Sequence, residues 1–185
     1  MRARLLAAAC ALLALAAVAP ARAATVLETQ VSHSDNVYRI RFAVVIDAPL
    51  ERVRAVMTDF AQLTKLTDTL IESEVLARSA GKQRIRVVFR TCVLFFCKQM
   101  RKTEDVETLS NGDIVTVAVP AESDFHRAEA RWHLVGDAVA TRVEYDAEME
   151  PRFFVPPLIG PALVKSKIRR ELIATAGNLE RLAQP

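Results

Sequence analysis

Six segments with the composition of β-strands follow one another between residues 71 and 150, and no helical pattern separates them. The predicted strands cover residues 71–79, 82–92, 97–109, 113–120, 125–135 and 141–150. Three of the connections contain Ala80-Gly81, Asn111-Gly112 and Gly136-Asp137, which are residue pairs typical of hairpin turns. Strands joined by such short turns pair antiparallel, so most of this chain is predicted to form one antiparallel sheet.

The last of these strands shows which face of the sheet is covered. Along residues 141–150, odd-numbered and even-numbered side chains differ in polarity and form two rows. The first row is mostly apolar and consists of Thr141, Val143, Tyr145, Ala147 and Met149; the second is charged and consists of Arg142, Glu144, Asp146, Glu148 and Glu150. Because successive side chains of a strand point to opposite faces, one face of the sheet is predicted to be buried and the other solvated. We expect Arg127 and Arg131 to pair with the acidic row there, and Arg84, Arg86 and Arg90 to lie on the solvated surface.

A long C-terminal helix is the predicted cover of the buried face. It starts near residues 157–161, ends near Leu182, and repeats Ile168, Leu172, Ala176 and Leu179 at helical spacing. An earlier strand at residues 37–47 is followed by two short predicted helices, at 50–60 and 61–70. The predicted fold class is therefore α+β, with a curved antiparallel sheet wrapped around the long helix and two short helices after the first strand.

The first 23 residues have the pattern of a secretory signal peptide. Arg2 and Arg4 precede an uncharged run at residues 5–18, and Ala21 and Ala23 have the small side chains that a signal peptidase requires. A retained membrane anchor is the alternative, although the run is shorter than the roughly 20 apolar residues that cross a bilayer. We predict a signal peptide at 1–23, a single domain at 24–185, and a periplasmic location.

Charge and motifs exclude several function classes. The chain has 25 basic and 22 acidic residues, and removal of the signal takes three arginines and no acid, which leaves a net charge of zero. A neutral domain gives no electrostatic reason to bind nucleic acid. The sequence has no phosphate-binding loop, catalytic serine motif or metal-ligand spacing, so we predict no cofactor and no metal.

Cys92 and Cys97 are the only cysteines that remain after removal of the predicted signal. Across a four-residue hairpin loop they could face each other on neighbouring strands, whereas on one continuous strand they would lie about 16 Å apart. Export to an oxidising compartment favours a disulfide over a redox or metal role. The bond would hold Val93, Leu94, Phe95 and Phe96 at the tip of a hairpin.

Several segments resemble one known family. They are residues 42–60, the Arg131-Trp-His-Leu134 and Thr141-Arg-Val-Glu-Tyr145 strands, and the end of the last helix, Asn178-Leu-Glu-Arg-Leu182. In these segments and in its order of elements, the chain resembles the START-like (SRPBCC) helix-grip superfamily, which includes polyketide cyclases and coenzyme Q-binding proteins of the Coq10 type. The aromatic residues that follow the Asp-Phe pair in the Coq10 type are replaced here by residues 61–66, so a quinone ligand is not carried over.

The resemblance implies a ligand cavity between the sheet and the long helix. Inward-facing residues of the predicted strands and helix would line it: Phe89, Ala128, Ala130, Trp132, Val143, Tyr145, Met149, Leu172 and Ala176. Small residues among them leave room for a ligand, but the same residues could equally form a packed core. Two loops at one end, residues 93–96 with Phe153 and Phe154, would form an apolar rim that either admits the ligand and touches a membrane or seals the core.

Three function classes remain open at this point. We expect an exported binding or carrier protein for a hydrophobic small molecule or lipid. A cyclase- or aromatase-like enzyme acting in the same cavity is the first alternative, with His126 and Tyr145 as candidate acid–base residues. A partner-docking protein of the cell envelope is the second alternative. Relatives that share this fold bind very different molecules, so the resemblance does not choose among these classes.

Overall fold

The computed structural model describes residues 24–93, 96–153, 155 and 160–184, and the predicted signal peptide lies outside this part of the chain. The strands are β1 (Thr25–Ser34), β2 (Val37–Ile46), β3 (Leu70–Ser79), β4 (Lys82–Val93), β5 (Phe96–Thr108), β6 (Ile114–Ala118), β7 (Phe125–Gly136) and β8 (Thr141–Pro151). The helices are α1 (Leu50–Thr58) and α2 (Gly160–Ala183), with two 3-10 turns at Leu63–Lys65 and Pro120–Glu122.

All eight strands belong to one antiparallel sheet. Its order is β1-β2-β8-β7-β6-β5-β4-β3, so β3 to β8 form the predicted meander and β2 returns beside β8. This confirms the α+β helix-grip architecture, with a long C-terminal helix across the covered face of the sheet. The meander also brings alternate loops to the same end of the sheet.

Two details of the predicted fold were wrong. β1 precedes the strand that we took to be the first; it is an edge strand in which Val31 alone is buried, so its hydrophobic pattern is weak. The second short helix is instead a single 3-10 turn at Leu63–Lys65, closed by a bond from Leu66 N to Leu63 O, and Leu70 already belongs to β3. Leu63 and Leu66 still pack against the core, as their spacing indicated.

One end of the sheet is closed by packing. Here α1 is fixed to two hairpin turns, since Leu50 N donates to Asp137 O and the Arg54 side chain donates to Gly112 O. Gly112 has a φ of +86°, which glycine adopts without the steric cost that other residues meet. The main core lies at this end and includes Val44, Ile46, Val53, Ile114, Leu134 and Leu179. Each such side chain contributes about 1.5–3 kcal/mol on full burial.

The other end of the sheet carries four connections: the β1–β2 turn, the β4–β5 tip, the Pro120–Glu122 turn and the segment between β8 and α2. Arg152 N donates to Asp124 O, which joins the end of β8 to the loop before β7. Fewer large side chains fill this half, where the smaller clusters contain Ala118, Ala128 and Ala147. We call this end the open end.

The outer face of the sheet is solvated and covered with ion pairs, as predicted. Arg127 and Arg39 both contact Glu148, and Arg84 contacts Asp105 with two hydrogen bonds. Arg131 differs from our expectation because it pairs with Asp113 rather than with the acidic row of β8. Exposed pairs of this kind contribute about 0–1 kcal/mol each, so this face indicates solvation rather than a catalytic cluster.

Candidate functional site

The covered face of the sheet is not completely filled. α2 runs close to β1, β2 and β4, which lie toward the two edges, while the central strands form the floor beneath it. Phe89, Trp132, Tyr145 and Leu172 all pack against the main core but are only half-buried. These side chains mark the region between the sheet and the helix as the candidate ligand site. We call this region the candidate cavity.

Small side chains on three neighbouring strands create the space. Ala118, Ala128, Ala130 and Ala147 lie on β6, β7 and β8, and Ala130 is directly opposite Ala147. Ile168 and Leu172 of α2 pack over Ala147 and its neighbours. One side of this floor is aromatic, because Trp132 stacks on Tyr145 with ring centroids 4.8 Å apart. The resulting wall is apolar with two polar aromatic groups, as in many ligand pockets.

An ion pair lies on the floor of the cavity. Glu104 is directly opposite Ile85 on one side and Ala118 on the other, and Lys102 is opposite Val87; all three partners are buried in core clusters. Residues directly opposite one another share a face of the sheet, so Lys102 and Glu104 face the helix. Their side chains are 16% and 6% exposed, and Lys102 Nζ lies 2.8 Å from Glu104 Oε2.

The ion pair leaves bonding capacity unused. The contact is an ion pair by its distance, and no hydrogen bond of standard geometry to Glu104 Oε2 is found among the described residues. Lys102 Nζ also lies 5.7 Å from the centroid of the Phe89 ring, within range of a cation–π contact.

Two hydroxyl groups accompany the pair. Thr116 is 3% exposed, and its Oγ1 has no partner in the described part of the chain. Burial raises the pKa of the Tyr145 hydroxyl, and the negative charge of Glu104 raises it further. Tyr145 therefore stays protonated and can donate a hydrogen bond at physiological pH. The cavity combines an apolar wall with one cluster of polar groups on its floor.

Two depressions lie beside α2. One, of about 740 Å³, lies at the open end and is bordered by His33, His126, Arg152, Phe153, Val155 and Lys165. The second, of about 330 Å³, lies between α2 and the end of β4, bordered by Thr67, Thr69, Arg90, Cys92, Lys167 and Glu171. Glu171 is bonded there by Thr67 and Thr69, so the second depression is polar.

One contact at the open end joins the β4–β5 hairpin to the segment that follows β8. Lys98, at the base of the β4–β5 hairpin, places Nζ 5.7 Å from the centroid of the half-buried Phe153 ring. The predicted rim residues Leu94, Phe95 and Phe154 lie outside the described residues, as do the side chains of Val93 and Phe96. The use of this rim as an entrance stays a prediction.

Cys92 and Cys97 form a disulfide across β4 and β5. The two residues are directly opposite in the strand register, just before the hairpin tip. This confirms the predicted bond between them. The bond fixes the base of the hairpin beside the second depression, which Cys92 borders.

The predicted lining residues fall into two groups. Phe89, Ala130, Trp132, Tyr145, Met149 and Leu172 are half-buried on the covered face, and their contact with a ligand stays a prediction. Ala128, Val143 and Ala176 face inward but are fully buried, and Val143 and Ala176 belong to the packed core of the closed end. The boundary between cavity and core depends on how closely α2 approaches each strand, which the strand pattern does not encode.

The position predicted for His126 was wrong. Its side chain is exposed and borders the large depression, because the register of β7 shifts between Phe125 and Arg127. It cannot act as an acid or base inside the cavity from there. His33 borders the same depression, although it is 93 residues away in sequence. His133 points outward as expected, and its Nδ1 lies 2.6 Å from Asp113 Oδ1.

Lys102 and Glu104 were missed by the sequence reasoning. Both rows of β5 contain charged residues, so alternation alone does not say which row is covered. Met100 and Val106 share the row of Lys102 and Glu104, and they were the available indication. Among the described residues there is no group of three or more side chains that could hold a metal ion. No helix in the same part of the chain is long and apolar enough to cross a membrane.

A curved antiparallel sheet closed at one end, open at the other and spanned by a C-terminal helix defines the helix-grip class of ligand-cavity proteins. The chain belongs to the polyketide cyclase/dehydrase and lipid transport family, whose model matches residues 46–174. That match extends from the end of β2 into α2 and so includes the cavity floor. No curated protein matches the chain.

Solved structures agree with this assignment. A protein from Thermus thermophilus superposes with a TM-score of 0.65 at 25% identity, over 78% of this chain and 96% of that one. The Zhui aromatase/cyclase from Streptomyces sp. R1128 gives 0.64 at 15% identity, over 80% and 93%. A STAR-related lipid transfer protein from Xanthomonas axonopodis gives 0.59 at 16% identity, over 84% and 99%. The last two identities are low, so these two likenesses show the fold alone.

Proposed function

We propose that this protein binds and carries a hydrophobic small molecule or lipid in the cavity between the sheet and α2. The family includes both lipid transport proteins and polyketide cyclases, and a carrier is the function that this cavity supports best. The observation that carries the proposal is the row of half-buried apolar side chains on the covered face, above all Phe89, Trp132 and Leu172. Their accessible surface faces a gap that water would fill at a cost.

The route into the cavity follows from the packing at its two ends. α1 and the main core close one end, whereas small residues and the depression beside Phe153 leave the other more open. We therefore place the ligand entrance at the open end. The basic and apolar residues there, Arg152, Lys165 and Phe153, suit brief contact with an anionic membrane from which cargo is collected.

Export to the periplasm is part of the proposal. The Cys92–Cys97 disulfide is of the kind that persists in oxidising compartments, and the first 23 residues have the pattern of a secretory signal. Fractionation of the native host tests this part directly. The protein should appear in the periplasmic fraction with residues 1–23 removed, and recovery of the full-length chain from the cytoplasm would contradict it.

Ligand binding is tested by recovery and by blocking the cavity. Organic extracts of protein purified gently from its host should contain a stoichiometric hydrophobic molecule, identified by mass spectrometry. The neutral dye N-phenyl-1-naphthylamine should also bind purified, extracted protein with increased fluorescence. Ala130→Phe adds a ring to the cavity floor and should reduce dye binding about tenfold or more while the protein remains folded.

The matched control adds the same ring elsewhere. Val117 is 52% exposed on β6, so Val117→Phe should leave dye binding unchanged. Equal dye affinity in the wild type, Ala130→Phe and Val117→Phe would contradict a ligand site between the sheet and α2. Absence of any extractable molecule together with absence of dye binding would reject the carrier function.

A second candidate function is catalysis on a hydrophobic substrate, as in a cyclase or aromatase. It is favoured by the position of Tyr145, a proton donor that faces the cavity beside the charge of Glu104. An enzyme of this kind should lose turnover in Tyr145→Phe and keep dye binding, because the ring and its stacking on Trp132 remain. Unchanged turnover in that variant would remove Tyr145 from the reaction.

A further inference from the structure

We propose that the larger depression is a binding site for the phosphate head group of a lipid. The depression lies at the open end, and the polar residues on its border are His33, Asn36, His126, Arg152 and Lys165. This inference rests on the proposed carrier function, and it adds a chemical class to the cargo: an amphiphile with a phosphate, rather than a neutral or cationic lipid. The phosphate would lie in the depression, and the apolar chain would begin beside Phe153.

The inference starts from the side chains on the border of this depression. Every polar side chain that borders it in the described part of the chain can donate a hydrogen bond, and none of them is a carboxylate. Arg152 and Lys165 are cations at neutral pH, and the two histidines become cations when protonated. The smaller depression differs, because two carboxylates on its border offset its two cations. The larger depression therefore favours an anionic group.

The two cations of the depression have no counterion among the described residues. Lys165 is half-buried on α2, Arg152 is exposed just after β8, and neither makes a salt bridge within that part of the chain. Arginines of the outer face differ, since Arg39 and Arg127 both pair with Glu148. Partial removal of a charge from water costs free energy that an oppositely charged partner offsets. A half-buried lysine without a counterion therefore favours an anionic ligand.

Two hydrogen bonds fix the chain segments that carry the donors. Asn36 Nδ2 donates to Pro151 O at 3.0 Å, which joins the β1–β2 turn to the end of β8. Arg152 N donates to Asp124 O at 3.0 Å, which joins the same end to the loop before β7. The backbone positions of both histidines and of the arginine are therefore set before a ligand binds, and this reduces the entropy lost on binding.

The distribution of the donors favours phosphate over carboxylate. They belong to four separate segments: the β1–β2 hairpin, the start of β7, the end of β8 and α2. A carboxylate presents two oxygens in one plane, whereas a terminal phosphate presents three acceptor oxygens and up to two negative charges. A guanidinium such as that of Arg152 binds phosphate through two parallel hydrogen bonds. A phosphate therefore matches donors that approach from several directions.

The rest of the border indicates an amphiphile rather than free phosphate. It is apolar and comprises Pro151, Phe153, Val155 and Pro161. The depression measures about 740 Å³, which accommodates a phosphate together with several methylene groups. Each methylene group that is buried there strengthens binding about fourfold. Free phosphate gains nothing from these apolar side chains.

The experiment compares head groups on one alkyl chain in the extracted protein. Isothermal titration calorimetry at pH 7 measures the affinities for octyl phosphate, octanoate, octan-1-ol and inorganic phosphate. Octyl phosphate should bind about tenfold or more tightly than each of the others. Arg152→Gln/Lys165→Gln should lose about tenfold or more in affinity for octyl phosphate, because both cations are removed. The same variant should keep the wild-type affinities for octan-1-ol and N-phenyl-1-naphthylamine.

The matched control removes two cations elsewhere on the surface. Arg78 and Arg181 are exposed and border neither depression, so Arg78→Gln/Arg181→Gln changes the net charge equally. It should bind octyl phosphate with the wild-type affinity.

Imidazole signals locate the phosphate without any substitution. The chain has three histidines, of which His33 and His126 border the depression and His133 contacts Asp113 on the outer face. In proton–carbon correlation spectra, octyl phosphate should shift the signals of His33 and His126 and leave those of His133 unchanged. Binding that leaves both of the first two unshifted would place the phosphate elsewhere and overturn the inference.

The outcomes separate this inference from the carrier function. If the dye binds but octanoate or octan-1-ol binds as tightly as octyl phosphate, the phosphate site is rejected and the carrier function stands. Equal losses in the two double variants reject the site in the same way. If inorganic phosphate binds as tightly as octyl phosphate, the depression recognises free phosphate and the assignment to a lipid is overturned. If the folded wild-type protein binds neither the dye nor octyl phosphate, both proposals fail.

Discussion

Lys98 Nζ lies 5.7 Å from the ring centroid of Phe153, so the β4–β5 hairpin touches the segment that leads from β8 to α2. These residues are 55 positions apart in the sequence. The contact places a cation and an aromatic ring together at the open end, beside the larger of the two depressions. We refer to this part of the open end, around Lys98 and Phe153, as the rim.

Phe153→Asp should slow the transfer of N-phenyl-1-naphthylamine from anionic vesicles to the protein. The substitution places a negative charge among the basic residues of the rim and removes an apolar side chain from the proposed membrane-contacting surface. We expect a decrease of about tenfold in the transfer rate with little change in the equilibrium affinity, because the cavity floor is untouched. Stopped-flow fluorescence with phosphatidylglycerol vesicles measures both quantities.

The control for the rim is an exposed apolar residue at the closed end. Val139 is 68% exposed in the turn between β7 and β8, so Val139→Asp introduces the same charge far from the entrance. It should transfer the dye at the wild-type rate. Equal slowing in both variants would mean that general surface charge, rather than the rim, determines transfer.

The Cys92–Cys97 disulfide should block thiol labelling and stabilise the fold. Protein that lacks residues 1–23 should take up no iodoacetamide without reductant and two equivalents after reduction and unfolding. Cys92→Ala/Cys97→Ala should lower the free energy of unfolding by about 2 kcal/mol, the chain-entropy value for so short a loop. Mass spectrometry and urea unfolding measure these effects, and two labels before reduction would contradict the bond.

Tyr38→Phe should not destabilise the protein, although Tyr38 is among its most buried residues. The side chain is 2% exposed, and its hydroxyl has no hydrogen-bond partner in the described part of the chain. Its burial without a partner costs free energy, so removal should leave the unfolding free energy unchanged or raise it by up to about 1 kcal/mol. Urea unfolding at neutral pH provides the measurement.

Thr141→Val is the contrasting variant. The Thr141 hydroxyl is equally buried, but it donates to Ala48 O at 2.8 Å. Its removal leaves a buried carbonyl without that donor and should cost about 1–3 kcal/mol. A similar loss in Tyr38→Phe would indicate that the Tyr38 hydroxyl has a partner that stabilises the native state.

Asp113→Asn should lower the free energy of unfolding at neutral pH. It should also reduce how much this free energy falls as the pH is lowered. Hydrogen bonding to His133 lowers the pKa of Asp113, with further contributions from Asn111 and Arg131. Because the native pKa lies below the ordinary value near 3.9, the carboxylate stabilises the native state fully above that value. This contribution is lost as the pH falls from there through the lower native pKa. We expect a loss on the order of 1 kcal/mol at pH 7, since both partners are about half exposed.

Unfolding by urea at pH 7 and at pH 3 tests the sign of this effect. The difference between wild type and Asp113→Asn should be larger at pH 7 than at pH 3. Asp146 is 65% exposed in a looser pair, so Asp146→Asn should change stability by less than roughly 0.5 kcal/mol at either pH. A pH-independent difference for Asp113 would contradict the role of its charge.

Local patterns were enough to predict most of the sheet. Strand β8 follows from its strict alternation, and the hairpins follow from glycine at turns such as Gly81 and Gly112, where φ is positive. β1 could not be recognised in this way, because an edge strand with one buried residue has almost no hydrophobic period. The turn at Leu63–Lys65 resembled a helix because three leucines have helical spacing, although each is fixed by contacts with the core.

By itself, the sequence determined the antiparallel meander, the covering helix, the pairing of Cys92 with Cys97 and the apolar face that includes Trp132 and Tyr145. These depend on periods of two or about four residues, which neighbouring side chains encode directly. Only the tertiary structure decided that Lys102 and Glu104 face the helix, that the His126 side chain is exposed, and that Val143 is fully buried whereas Ala130 keeps accessible surface. Those outcomes depend on the register of distant strands and on where α2 stands away from the sheet, and neither is a property of any local segment.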